Sequence, residues 1–203
     1  LAEEKFLTGL SLDGPRSVHD VYRLDLQGAG TFKSTMHAAA ILRDAGAEFN
    51  ILTVLTEKGG QNIDRIYNFL TSRGFYYQQY IPCLDPLAGC SAEPAEYSLT
   101  AKTFGEALKT LFDLWYADVT AGVPVHNRYF ENLIGILSGI EPESCDMRGQ
   151  CSVQYVIEAD GSVYPCDFYV LDGYCLGNIR ENSFEEIDRM RKQAGFIESS
   201  LKI

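Results

Sequence analysis

The sequence contains no apolar run near the roughly 18 residues that a membrane span requires, and its first residues are acidic rather than basic. We therefore predict neither a membrane helix nor a signal peptide. Basic residues are also scarce, with 17 Lys and Arg against 28 Asp and Glu and a formal net charge of −11. Because phosphate backbones are bound by clustered Lys and Arg, this balance argues against nucleic acid and suits a neutral or basic partner. We expect a cytoplasmic protein.

Cysteine is too sparse for a disulfide scaffold, since six thiols are spread over 203 residues. In a reducing cytoplasm, such thiols bind metal or remain buried more often than they pair. The three histidines, His19, His37 and His126, lack metal-ligand spacing and are interpreted as surface or helix residues. Cys83 follows a strand pattern and is interpreted as a buried structural thiol, and Cys90 as an exposed thiol in a polar loop.

Three of the remaining thiols lie close together in the sequence. Cys145, Cys151 and Cys166 are six and fifteen residues apart, and Asp167 directly follows the last of them. Between them, Ala159-Asp160-Gly161 separates two short strand patterns, which predicts a β-hairpin. Thiols that converge around a tight hairpin are typical of a metal site or an iron–sulfur cluster.

Before residue 139, strand and helix patterns alternate along the chain. Strand patterns cover residues 7–13, 49–56 and 75–81. Helical patterns cover residues 31–45, 62–74, 98–119 and 127–137. Because parallel strands need crossovers of about ten residues or more, this order predicts an α/β fold with a parallel sheet and helices outside it. The apolar run at 49–56 predicts a strand buried on both faces, and the first strand is expected at an exposed edge.

The amino-acid composition changes near residue 139, after which cysteines are frequent. A boundary at this point divides the chain into residues 1–138 and 139–203. In the second part, a short helix is predicted to begin after Asn182 or Ser183, because both side chains are good N-caps.

Several of these segments resemble the peptide-modifying radical SAM enzymes. Three segments resemble middle strands and loops of their barrel: Ser11–Pro15 with His19–Arg23, Asn50–Val54, and Tyr80–Pro86. The segment Cys145–Cys175 resembles the start of their SPASM auxiliary-cluster domain, most specifically at Cys166-Asp167-Phe168-Tyr169. Within this group the chain is most similar to the anaerobic sulfatase-maturating enzymes, and the resemblance covers essentially its whole length.

The resemblance implies the second half of a partial (β/α)6 TIM-like barrel in residues 1–138, followed by a truncated SPASM domain with its β-hairpin in residues 139–203. In the barrel, Ser11 and Leu84 match strand-end positions that contact S-adenosylmethionine. The radical-generating Cys-x-x-x-Cys-x-x-Cys motif of the family is absent from this sequence, and so are the C-terminal cysteines that complete its auxiliary clusters. We therefore expect a piece of a longer enzyme that is inactive on its own.

The implied activity of the longer enzyme is oxidation of a sulfatase cysteine or serine to formylglycine. Members of the family use S-adenosylmethionine and [4Fe–4S] clusters, and they act on a peptide or unfolded sulfatase. By the same resemblance, Asp167 matches the base that takes the proton of the substrate thiol or hydroxyl. Cys145, Cys151 and Cys166 match ligands of an auxiliary cluster, and Cys175 is close enough to supply a fourth.

Three other interpretations stay open at this point. The chain could belong to a radical SAM maturase of a different peptide, because the auxiliary domain is shared among several such enzymes. It could be a non-catalytic piece in which zinc occupies the thiols. It could also be a piece that folds only by pairing its exposed strand edge with a second copy of the chain.

Overall fold

The computed structural model describes residues 2–85 and 95–201 of the chain. The chain divides into two compact units, Leu1–Ile134 and Gly135–Ile203. None of the helices in these described ranges combines the length and the apolarity of a membrane span.

The first unit is built on a parallel sheet of four strands in the order β1-β2-β3-β4. The strands are β1 Thr8–Ser11, β2 Phe49–Leu55, β3 Tyr77–Pro82 and β4 His126–Asn127. Parallel strands joined by helical crossovers confirm the predicted α/β class. The predicted number of three strands is wrong, because the two residues of β4 are too few to show an alternating pattern.

The helices before residue 138 alternate with these strands. They are α1 Arg16–His19, α2 Phe32–Asp44, α3 Glu57–Gly60, α4 Ile63–Thr71, α5 Ala101–Thr120 and α6 Arg128–Leu137. The four helical patterns of the sequence correspond to α2, α4, α5 and α6. Helices α1 and α3 have four residues each, which is too short for a helical period to show in a sequence.

The sheet buries one face and leaves the other partly exposed. Ile51, Thr53 and Leu55 of β2 are buried, whereas Leu52 and Val54, which alternate with them, are only half-buried. The buried face belongs to a core that includes Leu12, Ile51, Leu55, Ile63, Ile66, Tyr67, Leu70, Leu111 and Trp115. The prediction that β2 is buried on both faces is therefore wrong, because an apolar run does not by itself show what covers the second face.

We call the second face of this sheet the open face. The strand register determines which residues lie on this face. They are Gly9, Ser11, Asn50, Leu52, Val54, Tyr77, Gln79, Ile81 and His126. All of them are half-buried or exposed. The open face is polar where the strands begin and apolar towards the ends of β2 and β3.

In the described part of the chain, β1 pairs only with β2 and lies at the edge of the sheet, as predicted. An edge strand presents unpaired backbone N–H and C=O groups that can pair with another chain. Pairing of this edge with a second copy stays a prediction.

The second unit contains an antiparallel sheet of three short strands, β5 Val156–Ile157, β6 Ser162–Tyr164 and β7 Gly177–Asn178. Strands β5 and β6 form the predicted hairpin, in which the Gly161 amide donates to the Glu158 carbonyl. Gly161 has a φ of 89°, a left-handed conformation that glycine adopts without strain. Strand β7 was not predicted from the sequence.

Three helices complete the description of the second unit. They are α7 Cys145–Arg148, α8 Phe184–Ala194 and α9 Phe196–Ser200. Ser183 caps α8 as predicted, and its partner Glu186 completes a capping box with the Ser183 amide. The small core of this unit consists of Val163, Leu176 and Ile187, with Tyr155 packed against it.

Candidate functional site

Cys166 and Asp167 follow β6, and Asp167 begins a 3₁₀ turn that ends at Tyr169. Cys166 is buried, with 6% of its surface exposed, and its Sγ lies 3.5 Å from Oδ1 of Asp167. Burial raises the pKa of the Cys166 thiol; the amide of Phe168 opposes this shift, and Asp167 and Cys145 add to it. A carboxylate is therefore held beside a buried thiol.

Backbone hydrogen bonds on both sides fix the position of this pair. Val163 in β6 is fully buried, and its carbonyl accepts from the Leu176 amide at 2.7 Å. After the pair, the Tyr169 amide donates to the Cys166 carbonyl at 3.0 Å. The hairpin and the turn together limit where the Cys166 and Asp167 side chains can lie.

The other predicted ligands lie in the same unit. Cys145 begins α7 and is close enough to Cys166 to affect its pKa. The Cys151 amide donates to the hydroxyl of Ser200 in α9 at 3.0 Å. Cys175 is exposed, with its Sγ 3.6 Å from the carbonyl oxygen of Gly177.

Thiols are the donors that both iron–sulfur clusters and structural zinc take, so these residues fit such a group in their chemistry. Among the described residues, however, no three or more His, Cys, Asp and Glu side chains converge in an arrangement that could hold a metal ion. The assignment of Cys145, Cys151, Cys166 and Cys175 as ligands therefore stays a prediction.

Cys83, the first residue after β3, is half-buried. Burial raises the pKa of its thiol, and the carboxylates of Asp85 and Asp13 add to the shift. Cys90, interpreted as an exposed thiol, and Pro86, which ends a matched segment, lie outside the described residues.

Ser11 and Leu84 lie at the carboxyl edge of the sheet, by which we mean the ends of β1, β2 and β3 and the loops that follow them. Ser11 is the last residue of β1, and Leu84 is the second residue after β3. Both are exposed. Because ligands of parallel α/β sheets bind at this edge, the two residues occupy a suitable place for a cofactor. Their contact with S-adenosylmethionine stays a prediction.

A polar network without a local sequence signal fixes the loop after β1. The Asp13 carboxylate accepts from the Val54 amide at 2.9 Å and from the Arg23 guanidinium. The Asp13 amide donates to Nδ1 of His19 at 3.2 Å, and Nε2 of His19 lies 3.1 Å from Oγ1 of Thr31. His19 lies in a helix, α1, as its interpretation allowed; it is fully buried, and burial lowers its pKa although Asp13 opposes the shift. The buried imidazole therefore connects Asp13 with Thr31 and stabilises the loop after β1 at the carboxyl edge.

Glu57, the first residue of α3, forms hydrogen bonds with the segment at the start of α5. Its Oε2 accepts from the Thr100 amide at 3.0 Å and its Oε1 from the Thr103 hydroxyl at 2.5 Å. The Glu57 amide donates to the Tyr97 carbonyl at 3.2 Å. The hydrogen bonds that the Thr100 amide and the Thr103 hydroxyl donate to the carboxylate lower the pKa of Glu57. The segment Tyr97–Thr103 is thereby tied to the end of β2.

Comparison with known proteins identifies relatives of this chain. Residues 145–201 match the SPASM family model, which is described as an iron–sulfur cluster-binding domain. The cysteine-type anaerobic sulfatase-maturating enzyme of Clostridium novyi (strain NT) is 47% identical over 199 residues, which cover 98% of this chain and 53% of that enzyme. The chain is therefore similar along nearly its whole length to the anaerobic sulfatase-maturating enzymes. It spans about half the length of the curated relatives it matches.

Two further relatives support the assignment. The cysteine-type enzyme of Clostridium perfringens (strain 13 / Type A) is 42% identical over 203 residues, covering 100% of this chain and 55% of that enzyme. The solved structure of native anSMEcpe with bound AdoMet and the Kp18Cys peptide is 43% identical, with a TM-score of 0.90. The match covers 100% of this chain and 56% of that chain. The similarity therefore extends across both units of this chain.

Proposed function

We propose that this chain forms part of a radical SAM enzyme that oxidises a cysteine or serine of a sulfatase peptide to formylglycine. The observation that carries the proposal is the Asp167 carboxylate, 3.5 Å from the buried Cys166 thiol inside the SPASM match. The similarity to sulfatase-maturating enzymes at 42% and 47% identity supports the reaction class. A related structure with bound AdoMet and a peptide supports the cofactor and the substrate class.

In this proposal, Cys145, Cys151 and Cys166 hold an auxiliary iron–sulfur cluster, with Cys175 as a candidate fourth ligand. When bound, S-adenosylmethionine and the clusters supply a hydrogen-abstracting radical and an acceptor for one electron. The Asp167 carboxylate takes the proton from the substrate thiol or hydroxyl. Loss of that proton, one hydrogen atom from Cβ and one electron converts a thiol to a thioaldehyde, which hydrolyses to formylglycine, or an alcohol to the aldehyde directly.

The first unit supplies the cofactor contacts, with Ser11 and Leu84 at the carboxyl edge. The Asp13 network holds the loop that follows Ser11, and Glu57 holds the segment Tyr97–Thr103 beside the end of β2. We infer that this unit is the second half of a partial (β/α)6 barrel, that residues 139–203 begin a SPASM domain, and that the enzyme acts in the cytoplasm. Because these 203 residues contain no Cys-x-x-x-Cys-x-x-Cys motif, they should be inactive alone.

Replacement of Asp167 by Asn tests the role of the carboxylate. The full-length gene product, reconstituted anaerobically, is incubated with a Cys-x-Pro-x-Arg peptide, and formylglycine is quantified by mass spectrometry. We expect Asp167→Asn to lower the rate by at least about a hundredfold while the iron content is unchanged. Asp172, an exposed acid in the next 3₁₀ turn, gives the matched control Asp172→Asn, which should keep full activity.

Two results would contradict the proposal at different levels. Full activity of Asp167→Asn would remove this carboxylate from the role of base. Failure of the wild-type enzyme to convert either a cysteine or a serine sulfatase peptide, together with oxidation of another peptide, would favour a different maturase.

A further inference from the structure

Helix α9, Phe196–Ser200, contacts two separate segments that carry predicted site residues. None of its residues is buried, and none belongs to the small core of the second unit. Among the described residues, its hydrogen bonds and ring contacts with other elements go to Tyr169, Tyr174 and Cys151. The contacts of this helix therefore lie at the candidate site rather than in the core.

Phe196 contacts the 3₁₀ turn that carries Asp167. Its ring meets the ring of Tyr169, the last residue of that turn, with centroids 5.1 Å apart and planes 77° from parallel. The Tyr174 ring completes the cluster, 5.0 Å from Tyr169 and 6.0 Å from Phe196 between centroids. Edge-to-face contacts at such distances are favourable. Because the Tyr169 amide also donates to the Cys166 carbonyl, the ring cluster limits the movement of the whole turn.

Ser200, at the other end of α9, contacts the segment that carries Cys151. Its hydroxyl donates to the Ile197 carbonyl at 2.7 Å and accepts from the Cys151 amide at 3.0 Å. The first hydrogen bond fixes the hydroxyl proton, so that an oxygen lone pair faces the amide. Residues 151–155 form neither helix nor strand. The hydrogen bond to Ser200 therefore orders a stretch of backbone that has no regular structure of its own.

The position of α9 is itself set by the core of the second unit. Gly195 ends α8 and precedes α9, with a left-handed φ of 63° that turns the chain between the two helices. Ile187 of α8 packs with Val163 of β6, and β6 leads into Cys166. The helix that contacts the two ligand segments is thus attached to the same core as the hairpin.

We propose that α9 positions the candidate site, with Phe196 holding the turn of Cys166 and Asp167 and Ser200 holding Cys151. Both are positioning residues, because each acts through a side chain other than its own. The groups that hold metal ligands in place affect metal binding strongly even though they do not touch the metal. The inference rests on the proposed function, which supplies the roles of the ligands and of the base.

Loss of bound metal tests the contact of Ser200. The full-length gene product is reconstituted anaerobically, and release of its iron or zinc to an excess of chelator is followed by absorbance. Ser200→Ala should release metal about threefold to tenfold faster than the wild type, because the Cys151 amide loses its acceptor. Ser200→Thr keeps the hydroxyl and should restore the wild-type rate. Metal bound elsewhere in the enzyme contributes equally to every variant.

Ser199→Ala is the matched control for Ser200→Ala. It removes a hydroxyl from the same helix, which donates to the Gly195 carbonyl at 2.8 Å. Neither hydrogen bond of Cys151 nor a ring of the cluster involves Ser199 in the described part of the chain. Its release rate should equal that of the wild type.

The same measurement tests Phe196. Phe196→Leu should also speed the release of metal, by about threefold to tenfold, because the turn with Cys166 loses its ring contact. Phe184→Leu is the control, since it removes an edge-on contact with Tyr155 in the same unit, 6.3 Å between centroids. A wild-type release rate in Ser200→Ala or Phe196→Leu, or an equal acceleration in its control, would overturn the positioning role of α9.

Kinetics show whether Phe196 acts through the base. With a sulfatase peptide, Phe196→Leu should lower kcat about threefold to tenfold and leave KM unchanged, because the carboxylate is displaced and peptide binding is not. In the Asp167→Asn background, Phe196→Leu should lower kcat no further. If the two losses multiply instead, Phe196 acts independently of Asp167, and the role assigned to it is wrong.

The two readouts separate this inference from the proposed function. If the wild type forms formylglycine but all variants release metal at one rate, the role of α9 is wrong and the oxidation stands. If Ser200→Ala and Phe196→Leu alone release metal faster and the wild type converts no sulfatase peptide, α9 positions the ligands and the proposed oxidation is wrong.

Discussion

The Cys166 thiol donates to Oδ1 of Asp167 across 3.5 Å, so a predicted metal ligand and a predicted base are in direct contact. A cysteine that binds metal does so as a thiolate and loses its S–H donor. Metal binding at Cys166 would therefore leave Oδ1 of Asp167 free to accept from another group. In the proposed reaction, that group is the substrate thiol or hydroxyl.

The first prediction concerns iron binding by the predicted ligands. Cys145→Ser, Cys151→Ser and Cys166→Ser should each lower the iron bound after anaerobic reconstitution with iron and sulfide, because a serine hydroxyl is a poor substitute for a thiolate. Iron, zinc and sulfide content and the visible absorption spectrum measure the effect. Cys175→Ser shows whether the exposed fourth thiol takes part. A wild-type protein that binds zinc and no iron would support the zinc interpretation.

The sequence predicts those parts of the fold that repeat or close locally. The parallel α/β order follows from helical and strand periods, and the hairpin from Asp160-Gly161 between two strand patterns. Strand β4 escapes prediction because its two residues are ordered by pairing with Tyr77 and Gln78, nearly fifty residues earlier in the chain. No local pattern encodes a contact of that kind.

The candidate site, like the fold, is predictable from the sequence only where its residues are close together along the chain. Cys166 and Asp167 stand out because they are adjacent and follow a hairpin, whereas His19 has no spacing that reveals its role. Its burial depends on contacts with the Asp13 amide and the Thr31 hydroxyl, which meet only when the loop after β1 closes. Glu57 likewise finds its partner Thr100 across 43 residues.

The second prediction concerns acid stability of the second unit. The Asp188 carboxylate accepts from Lys192 and from the Tyr155 hydroxyl, each at 2.7 Å, and from Arg191. These contacts, that of Lys192 foremost, lower the pKa of Asp188 well below its ordinary value of 3.8. Since the folded-state pKa is depressed, the stabilisation is present above the unfolded-state value and is lost as the pH falls below it.

Asp188→Asn should therefore lower the thermal unfolding temperature at pH 7 and weaken its dependence on pH between about 5 and 2. Circular dichroism melting curves across this range measure both effects. Glu185→Gln, at an exposed position of the same helix α8, is the control and should retain the wild-type slope. An unchanged slope in Asp188→Asn would contradict the prediction.

The third prediction concerns the contact between α4 and α5. The hydroxyl of Tyr67, which is 1% exposed, donates to Oδ2 of Asp118 at 2.8 Å. Tyr67→Phe should lower the free energy of unfolding by about 1–2 kcal/mol, because a hydrogen bond to a carboxylate is lost in a partly buried place. Urea denaturation measures the change. Tyr116→Phe removes a hydroxyl from a ring that is 56% exposed and should have little effect. A comparable loss in both variants would rule out a special role for the Asp118 contact.

The fourth prediction pairs two glycines in the first unit for which alanine should act in opposite directions. Gly14 has a φ of 104°, and a Cβ there would lie 2.8 Å from Cγ1 of Ile66, so Gly14→Ala should lower the free energy of unfolding by about 1–3 kcal/mol. Gly105 lies within α5 and a Cβ would meet no atom within 4 Å, so Gly105→Ala should raise it by about 0.5–1 kcal/mol.

The single tryptophan, Trp115, reports on both variants because it is buried in the core of the same unit and its Nε1 donates to the Val125 carbonyl at 3.0 Å. Urea denaturation followed by its fluorescence should therefore move to lower urea for Gly14→Ala and to higher urea for Gly105→Ala. The helix propensity of alanine acts only at Gly105, and the backbone strain and the clash with Ile66 act only at Gly14. A shift in the same direction for both variants would show that one of these two local descriptions is wrong.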